Sequence, residues 1–295
     1  MSPMSGSRFV VLEDRGVLAV GGPERATFLQ GLVSNDTARI SGGRAIYAAL
    51  LTAQGKYLHD FMLIEVGEAI WLDGEAARLA DLKRRLSMFR LRAKVTLDER
   101  PDLAVAAVFD GAALHLPPEP GAARAFGEGT AFVDPRLATL GARVIAPREQ
   151  IRGALLEAGA VEAEFAEYDR LRLGLGVPDG SRDLVLDKSI LLESGFDELS
   201  GVDWQKGCYI GQELTARTKY RGLIKKRLFP VRIDGPAPDP GAIVMQDGRE
   251  AGEMRSSRDG VGLALLRLDA VGKETKLLVG DVAIEPLTPE WMRLP

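Results

Sequence analysis

Only one cysteine, Cys208, occurs among the 295 residues of this chain, so no intramolecular disulfide can hold its fold together. A structural zinc ion is usually bound by about four Cys or His ligands. The chain offers only three, because it has two histidines, His59 and His115, besides Cys208. The fold must therefore rest on apolar cores, for which a composition of 46% apolar residues is sufficient. A chain of this length exceeds what one core usually serves, which predicts two or three domains.

The chain also lacks the ligands for an iron–sulfur cluster of its own, because proteins usually hold such clusters through about four cysteine thiolates. Cys208 can ligate such a cluster only where a second chain or a small thiol supplies the other ligands. We therefore expect no metal site built from the cysteine and histidines of this chain alone.

The net charge of −4 is mild. It argues against a surface coated with basic residues for nucleic acid, although a local basic patch is compatible with it. The first eight residues lack the apolar core of a signal peptide, and the longest apolar runs are too short to span a bilayer. We expect a protein of the cytoplasm, or of the matrix if an organelle is involved, without membrane contact.

Short apolar runs dominate the first half of the chain. Residues 9–12 and 16–20 predict a hairpin, and residues 75–89 predict a helix with one apolar face. The order strand, strand, helix, strand predicts an α+β fold with mainly antiparallel sheets. The stretch 117–129, rich in Pro, Gly and Ala, predicts a connector.

A second strong break occupies residues 234–241, and short apolar segments with frequent turns follow it. This spacing predicts a small β-barrel or sandwich. We therefore expect one region over residues 1–228 and a second domain over residues 229–295.

Cys208 lies in Lys206-Gly-Cys-Tyr-Ile-Gly-Gln-Glu213, between Lys206 and a basic tract. Positive neighbours favour the reactive thiolate, and the bracketing Gly207 and Gly211 allow the backbone to approach a ligand closely. The alternative is a buried, inert cysteine, which is the commoner fate of a lone thiol.

The basic tract contains six cations within eleven residues: Arg217, Lys219, Arg221, Lys225, Lys226 and Arg227. It could hold the phosphates of RNA or the carboxylates of a polyglutamyl tail. A solvated face, or ion pairing within the protein, explains the same composition.

Two further side chains suit ligand binding. Asp60, beside His59, can receive a proton or orient a ligand, and Arg172 can bind a carboxylate through two hydrogen bonds. An exposed strand edge for Asp60 and a structural ion pair for Arg172 are the alternatives.

Together these segments resemble the YgfZ-type proteins, which are related to the aminomethyltransferase of the glycine-cleavage system. The resemblance runs in order through nearly the whole chain. Its blocks are Phe28-Leu-Gln-Gly-Leu-Val-Ser-Asn-Asp36, Leu51-Thr-Ala-Gln-Gly-Lys-Tyr-Leu-His-Asp60, Phe89-Arg-Leu-Arg-Ala-Lys94, Tyr168-Asp-Arg-Leu-Arg172, Lys206-Gly-Cys-Tyr-Ile-Gly-Gln-Glu213, and the stretch from Arg221-Gly222 to Arg227-Leu228.

The resemblance implies interlocked α+β domains around a central funnel that binds tetrahydrofolate, followed by a C-terminal β-barrel. In its terms, residues 1–228 are the folate-binding region, two subdomains joined near 117–129. It also implies a role in the maturation or repair of iron–sulfur proteins, and in bacteria an effect on tRNA modification.

The resemblance further implies the roles of individual residues. Cys208 is the reactive group, and Lys206 favours its thiolate. The folate-binding candidates are Asn35, Asp60, Arg172, Tyr209, Gln212, Glu213 and Arg221. Two departures stand out, because the aminomethyltransferases carry paired acids at the place of His59-Asp60 and a Glu at the place of Gly174.

Three hypotheses follow. The first is a folate-binding accessory factor whose partners are iron–sulfur proteins or their assembly factors. The second is a folate-dependent aminomethyltransferase. The third is an RNA-binding module that uses the basic tract.

Overall fold

The computed structural model describes residues 6–111, 114–222, 224–272 and 275–294. The chain falls into two compact units, each assembled from three stretches. The first unit contains the chain up to Leu50, His59–Tyr168 and Leu199–Ile210, and the second contains Leu51–Leu58, Asp169–Glu198 and the chain from Gly211 onward. The predicted domain boundary after residue 228 stays a prediction.

The first unit contains two β-sheets. The six-stranded sheet has the order β11-β1-β7-β10-β9-β8, and the five-stranded sheet has the order β3-β4-β5-β2-β6. The strands are β1 (Arg8–Val11), β2 (Arg15–Gly21), β3 (Ile46–Leu51), β4 (Tyr57–Val66), β5 (Ala69–Glu75), β6 (Thr96–Glu99), β7 (Leu103–Phe109), β8 (Ala123–Phe126), β9 (Gly129–Val133), β10 (Ala142–Pro147) and β11 (Val161–Glu162).

Two predictions for this unit are wrong. The runs at 9–12 and 16–20 do form strands, but β1 pairs with β7 and β11 whereas β2 pairs with β5 and β6, so they make no hairpin. The predicted connector at 117–129 carries the edge strand β8 and lies within the first unit. Pairing of β1 and β2 with distant strands overrides the local hairpin signal, whereas β8 pairs with β9, which begins three residues after β8 ends.

The helices are α1 (Arg25–Gln30), α2 (Leu79–Arg90), α3 (Ile151–Glu157), α4 (Phe165–Gly174), α5 (Gly180–Asp183) and α6 (Gln212–Tyr220). Short 3-10 turns occupy Thr37–Arg39, Ala76–Arg78, Ala138–Leu140 and Leu191–Ser194. Helix α2 follows the predicted periodicity, because Leu79, Leu82 and Leu86 form its buried face. None of the helices in the described ranges is long and apolar enough to cross a membrane.

The second unit contains a closed antiparallel barrel with the strand order β12-β15-β14-β13-β16-β17. Its core includes Phe229, Val244, Met254 and Leu266. The strands are β12 (Lys226–Asp234), β13 (Ile243–Gln246), β14 (Arg249–Arg258), β15 (Val261–Arg267), β16 (Leu277–Val279) and β17 (Val282–Pro286). The predicted α+β class and C-terminal barrel are confirmed, and the funnel stays a prediction.

Candidate functional site

Cys208 lies in the irregular segment 201–211, which leads into helix α6. Its side chain is exposed, so the alternative of a buried, inert cysteine is wrong. We call residues 200–210 the cysteine loop.

The cysteine loop is fixed to the turn 31–36 at both of its ends. Near its start, the Ser34 hydroxyl donates to the Gly201 carbonyl (2.6 Å), and the Asp203 N–H donates to the Ser34 carbonyl (3.1 Å). Near its end, the Ile210 N–H donates to the Gly31 carbonyl (3.3 Å). Cys208 is therefore held out to solvent between two anchored points.

Lys206 connects the middle of the cysteine loop to the same turn. Its buried ammonium group donates to the carbonyl oxygens of Gln30 (2.8 Å), Val33 (2.6 Å) and Asn35 (2.9 Å). Burial lowers the pKa of Lys206 to about 8, so the group keeps its three donor protons in most molecules at neutral pH. These contacts make Lys206 a structural clamp, and its predicted effect on the Cys208 thiolate stays a prediction.

Asp203 shapes the loop just before Lys206. Its carboxylate accepts hydrogen bonds from the backbone N–H groups of Gln205 (2.7 Å) and Lys206 (3.0 Å) and pairs with Arg39 (3.3 Å). Burial alone would raise the pKa of Asp203, but these donors hold it below its ordinary value. Sequence reasoning missed this residue, although an Asp that accepts N–H bonds two and three residues ahead is a common turn former.

Tyr209 follows the thiol directly and is 7% exposed. The Lys206 ammonium lies 5.1 Å from the centre of its ring, within the range of a cation–π contact. Lys206 and Tyr209 thus pack against each other and stabilise the loop on either side of Cys208. The predicted contact of Tyr209 with folate stays a prediction.

Asn35 is a structural residue of the turn. Its side-chain amide donates to the carbonyl oxygens of Tyr47 (2.7 Å) and Ser200 (2.8 Å), and its oxygen accepts from the Asp36 N–H (2.8 Å). Both amide protons are therefore used within the protein. The amide has no N–H left to donate to the predicted folate.

Asp60 points away from its neighbour His59, as the alternation of a strand requires. Its carboxylate accepts a hydrogen bond from the Tyr47 hydroxyl (2.8 Å), and both residues are buried. Burial, together with the Asp60 charge, raises the pKa of Tyr47 well above its ordinary value. The alternative of an exposed edge position for Asp60 is wrong.

A larger network of buried charges surrounds this pair. Arg136 lies 5.5 Å above the Tyr47 ring and pairs with Asp134 (2.8 Å). Arg143 donates to the Tyr168 hydroxyl (2.9 Å), and Arg15 pairs with Asp73 (2.7 Å). Arg143 also lies 3.7 Å from both Asp73 and Asp134, so the network joins the two sheets of the first unit.

His59 faces the opposite side of β4. Its Nε2 lies 2.9 Å from an oxygen of Asp81 on α2. Burial and the nearby Arg78 lower the pKa of His59 to about 4, although Asp81 acts in the other direction. The imidazole is therefore neutral at physiological pH and donates a hydrogen bond to Asp81.

Arg172 belongs to the second unit and is 2% exposed. Its guanidinium donates to Asp169 (2.8 Å), Asp183 (2.6 Å) and the Ser256 hydroxyl (2.8 Å). These contacts are the structural ion pair that the alternative predicts, and the predicted place of Arg172 in a folate pocket stays a prediction. The contact with Ser256 attaches α4 to strand β14 of the barrel.

The remaining candidates lie at the two ends of helix α6. Gln212 is its first residue and is partly buried, whereas Glu213 is 84% exposed and pairs with Arg217 one turn later. Arg221 follows the helix and is exposed. Their predicted folate contacts stay predictions.

Ion pairs account for half of the basic tract. Arg217 pairs with Glu213, Lys219 with Asp197 (2.9 Å) and the buried Arg227 with Glu198 (2.6 Å). Arg221 and Lys225 are exposed and make no ion pair with any residue that the structure describes. Three of the six cations of the tract are thus neutralised, as the alternative of internal ion pairing predicts.

No three Cys, His, Asp or Glu side chains within the described ranges lie close enough together to hold a metal ion. Cys208 is thus the one soft ligand at the exposed loop, and a cluster bound there needs further ligands from elsewhere.

Comparison with known proteins identifies the family. Residues 225–294 match the model of the CAF17 C-terminal β-barrel domain. The mitochondrial iron–sulfur cluster assembly factor IBA57 of Homo sapiens is 36% identical over 308 residues, covering 95% of this chain and 84% of the human protein. The mouse protein is 35% identical with the same coverage of both chains. This chain belongs to the IBA57 family.

The fold extends to a second group of proteins. Aminomethyltransferase T of the glycine cleavage system from Bartonella henselae superimposes with a TM-score of 0.79 over 97% of this chain and 86% of that one. The sequences are only 16% identical, so the similarity shows the fold alone. The predicted relationship to the aminomethyltransferase fold is confirmed, and YgfZ-type proteins are the bacterial counterpart of the IBA57 family.

Proposed function

We propose that this protein assists the assembly or repair of iron–sulfur proteins, with Cys208 as its reactive group. The observation that carries the proposal is an exposed thiol on a loop that is fixed at both ends to the turn 31–36. Its human and mouse relatives are named as iron–sulfur cluster assembly factors. The partners are then iron–sulfur proteins or other assembly factors.

The chemistry follows from the number of ligands. Cys208 supplies one thiolate, whereas a cluster is usually held by about four. A cluster that contacts Cys208 is therefore shared with a partner protein or a small thiol, and it is cargo rather than a resident cofactor. Transfer to a client would break one iron–thiolate bond to this chain, and a cysteine thiolate of the client would replace Cys208 on the iron.

Tetrahydrofolate is part of the proposal on the strength of the aminomethyltransferase-like fold. The residues proposed to bind it fit poorly, because Asn35 and Arg172 donate their N–H groups within the protein. Glu213 is exposed and ion-paired. In bacteria, an effect of the protein on tRNA modification would follow indirectly, through the iron–sulfur enzymes that modify tRNA.

The fold also favours a second candidate, a folate-dependent aminomethyltransferase. That function requires methylene transfer and little contribution from Cys208. The position next to Asp60 speaks against it, because His59 is buried against Asp81 rather than forming part of an acidic pair. The ion-paired basic tract disfavours the RNA-binding module.

The test replaces Cys208 with Ser in cells that lack the protein. We expect the variant to fold and to leave folate affinity unchanged by calorimetry, but to fail to restore iron–sulfur enzyme activity. A double variant, Cys208→Ser with Ser41→Cys, moves the thiol to another exposed position of the first unit and is expected to fail as well. Full rescue by either variant would contradict the proposed role of Cys208. Methylene transfer by both variants would favour the aminomethyltransferase.

The names of two relatives bear on the place of action. The human and mouse relatives are named as mitochondrial. We propose the cytoplasm for this chain, or the matrix if it acts in an organelle, and fractionation of the source cells tests this.

A further inference from the structure

The end of helix α2 exposes three apolar side chains. Met88 is 57%, Phe89 43% and Leu91 90% exposed. The helix buries its other apolar face through Leu79, Leu82 and Leu86, so the core of the first unit does not need these three residues. We call residues 88–94 the α2 tip.

Leu91 is the most unusual residue of the α2 tip. Its backbone has φ 43° and ψ −106°, and the Ala93 N–H donates to the Arg90 carbonyl (2.7 Å) to close a turn. This conformation at the second position of a turn strongly favours glycine. Since the side chain is also almost entirely in solvent, Leu91 lowers the stability of the isolated protein without compensating burial.

The side chains of the α2 tip carry three positive charges and no negative charge. One carboxylate outside the tip, that of Glu24, accepts a hydrogen bond from the Lys94 N–H (2.5 Å). Arg90, Arg92 and Lys94 are exposed, and none makes an ion pair with any residue that the structure describes. By contrast, Arg84 and Arg85, one turn earlier, both pair with Asp81. The α2 tip is thus a positive, partly apolar projection on a chain whose net charge is −4.

We propose that the α2 tip is a docking surface for the acidic face of another protein. Apolar and aromatic side chains surrounded by arginine are typical of the centre of protein–protein interfaces. A partner that complements the unpaired cations has carboxylates around an apolar depression. Burial of the Leu91 side chain in that depression would offset the cost of placing leucine at a turn position that favours glycine. The inference does not depend on Cys208.

Other occupants explain less. Nucleic acid would use the cations but gain little from Met88 and Leu91, because its affinity comes from phosphates and from stacking. A helix that lies on a membrane turns its apolar face toward the lipid, whereas that face of α2 is already buried. Two copies of the tip facing each other would bring like charges together.

The first experiment identifies the partner. A photo-reactive phenylalanine analogue replaces Leu91 in the full chain in cells of the source organism, and Leu156 on α3, which is 53% exposed, is the matched control position. We expect position 91, and not position 156, to cross-link to one identifiable protein of negative net charge. Cross-linking to a second copy of this chain, or the same products from both positions, would overturn the proposal.

The second experiment measures binding of that purified partner by calorimetry. Leu91→Asp and Arg92→Glu are each expected to weaken binding at least tenfold, and Leu156→Asp to change it less than twofold. Affinity should also fall as salt rises, because exposed charges are screened within about 8 Å at physiological ionic strength. Equal affinities for wild type and both tip variants would contradict the proposal.

Leu91→Gly separates docking from folding. Glycine adopts the turn without strain, so we expect its melting temperature to equal or exceed that of wild type while binding falls. A lower melting temperature would show that Leu91 is needed for the fold. Binding to phosphatidylglycerol vesicles or to poly-uridine RNA that is lost in Leu91→Asp would assign the tip to lipid or nucleic acid instead.

Discussion

Single side chains explain how the cysteine loop is held. Lys206 directs one charged group at three carbonyl oxygens, among them that of Gln30 at the end of α1. The last carbonyls of a helix have no partner within it, and a cation stabilises them. Lys206, two residues before Cys208, therefore stabilises the shape of the loop.

Replacing Lys206 with Met is expected to lower the free energy of unfolding by about 2–4 kcal/mol, because three buried carbonyls lose a charged donor. Chemical denaturation measures this change. Lys225→Met removes an exposed cation and should change stability by less than about 0.5 kcal/mol. If both variants were equally stable, the clamp would be of no energetic importance.

At the scale of elements, two sequence blocks meet through their glycines in the second unit. A methyl group on Gly211, which precedes α6, would lie 2.5 Å from the Thr52 carbonyl and 2.9 Å from the Gly55 Cα. Gly211 also has φ +82°, a conformation that other residues rarely adopt. The turn after β3 can approach the start of α6 this closely only because both residues are glycine.

Gly211→Ala is therefore expected to lower the melting temperature through both backbone strain and a clash with backbone atoms, a loss of about 2–4 kcal/mol. Gly222→Ala is the matched control, since Gly222 has φ +59° but a methyl group there would meet nothing within 4 Å. This control should lose only about 1 kcal/mol. Equal losses in the two variants would show that the close approach contributes nothing.

At the scale of the whole molecule, the buried His59 makes the free energy of unfolding depend on pH. Unfolding restores the pKa of His59 from about 4 to its ordinary 6.5. Between these two pH values His59 is therefore protonated in the unfolded chain but neutral in the folded chain. His59 thus contributes stability above pH 6.5 that is lost as the pH falls toward 4. The carboxylates whose pKa the fold lowers, including Asp81, Asp134 and Asp203, act mainly below that window.

We expect the wild type to lose at most ~3 kcal/mol between pH 6.5 and 4 through His59. His59→Gln retains an N–H donor for Asp81 but does not titrate, so its stability should vary less across this range. Urea denaturation at a series of pH values measures both profiles. Parallel profiles would show that His59 does not carry the acid sensitivity.

The sequence predicted those parts of the molecule that depend on local pattern. Apolar periodicity located α2, and the spacing of turns located the barrel. Strand partners such as those of β1 and β2 depend on segments far apart in the chain, which no local pattern encodes.

At the candidate site, residue type was a weaker guide than position. Nothing in the sequence distinguishes an Asn or Arg whose hydrogen bonds are satisfied internally, such as Asn35 and Arg172, from one that awaits a ligand. The buried network around Asp73, Asp134 and Arg143 was missed for a related reason, because isolated charges between apolar residues read as surface positions. Cys208 was found because its motif is long and its thiol unique.

The anchoring of the cysteine loop has a consequence for the speed of encounter. A loop that must first become ordered slows association, whereas a pre-set surface typically associates at about 10⁵–10⁷ M⁻¹s⁻¹. Because hydrogen bonds already fix the segment on both sides of Cys208, a partner meets the thiol in its final position. On the proposed function, the lifetime of the complex rather than the rate of encounter would then determine how much of the cluster is transferred.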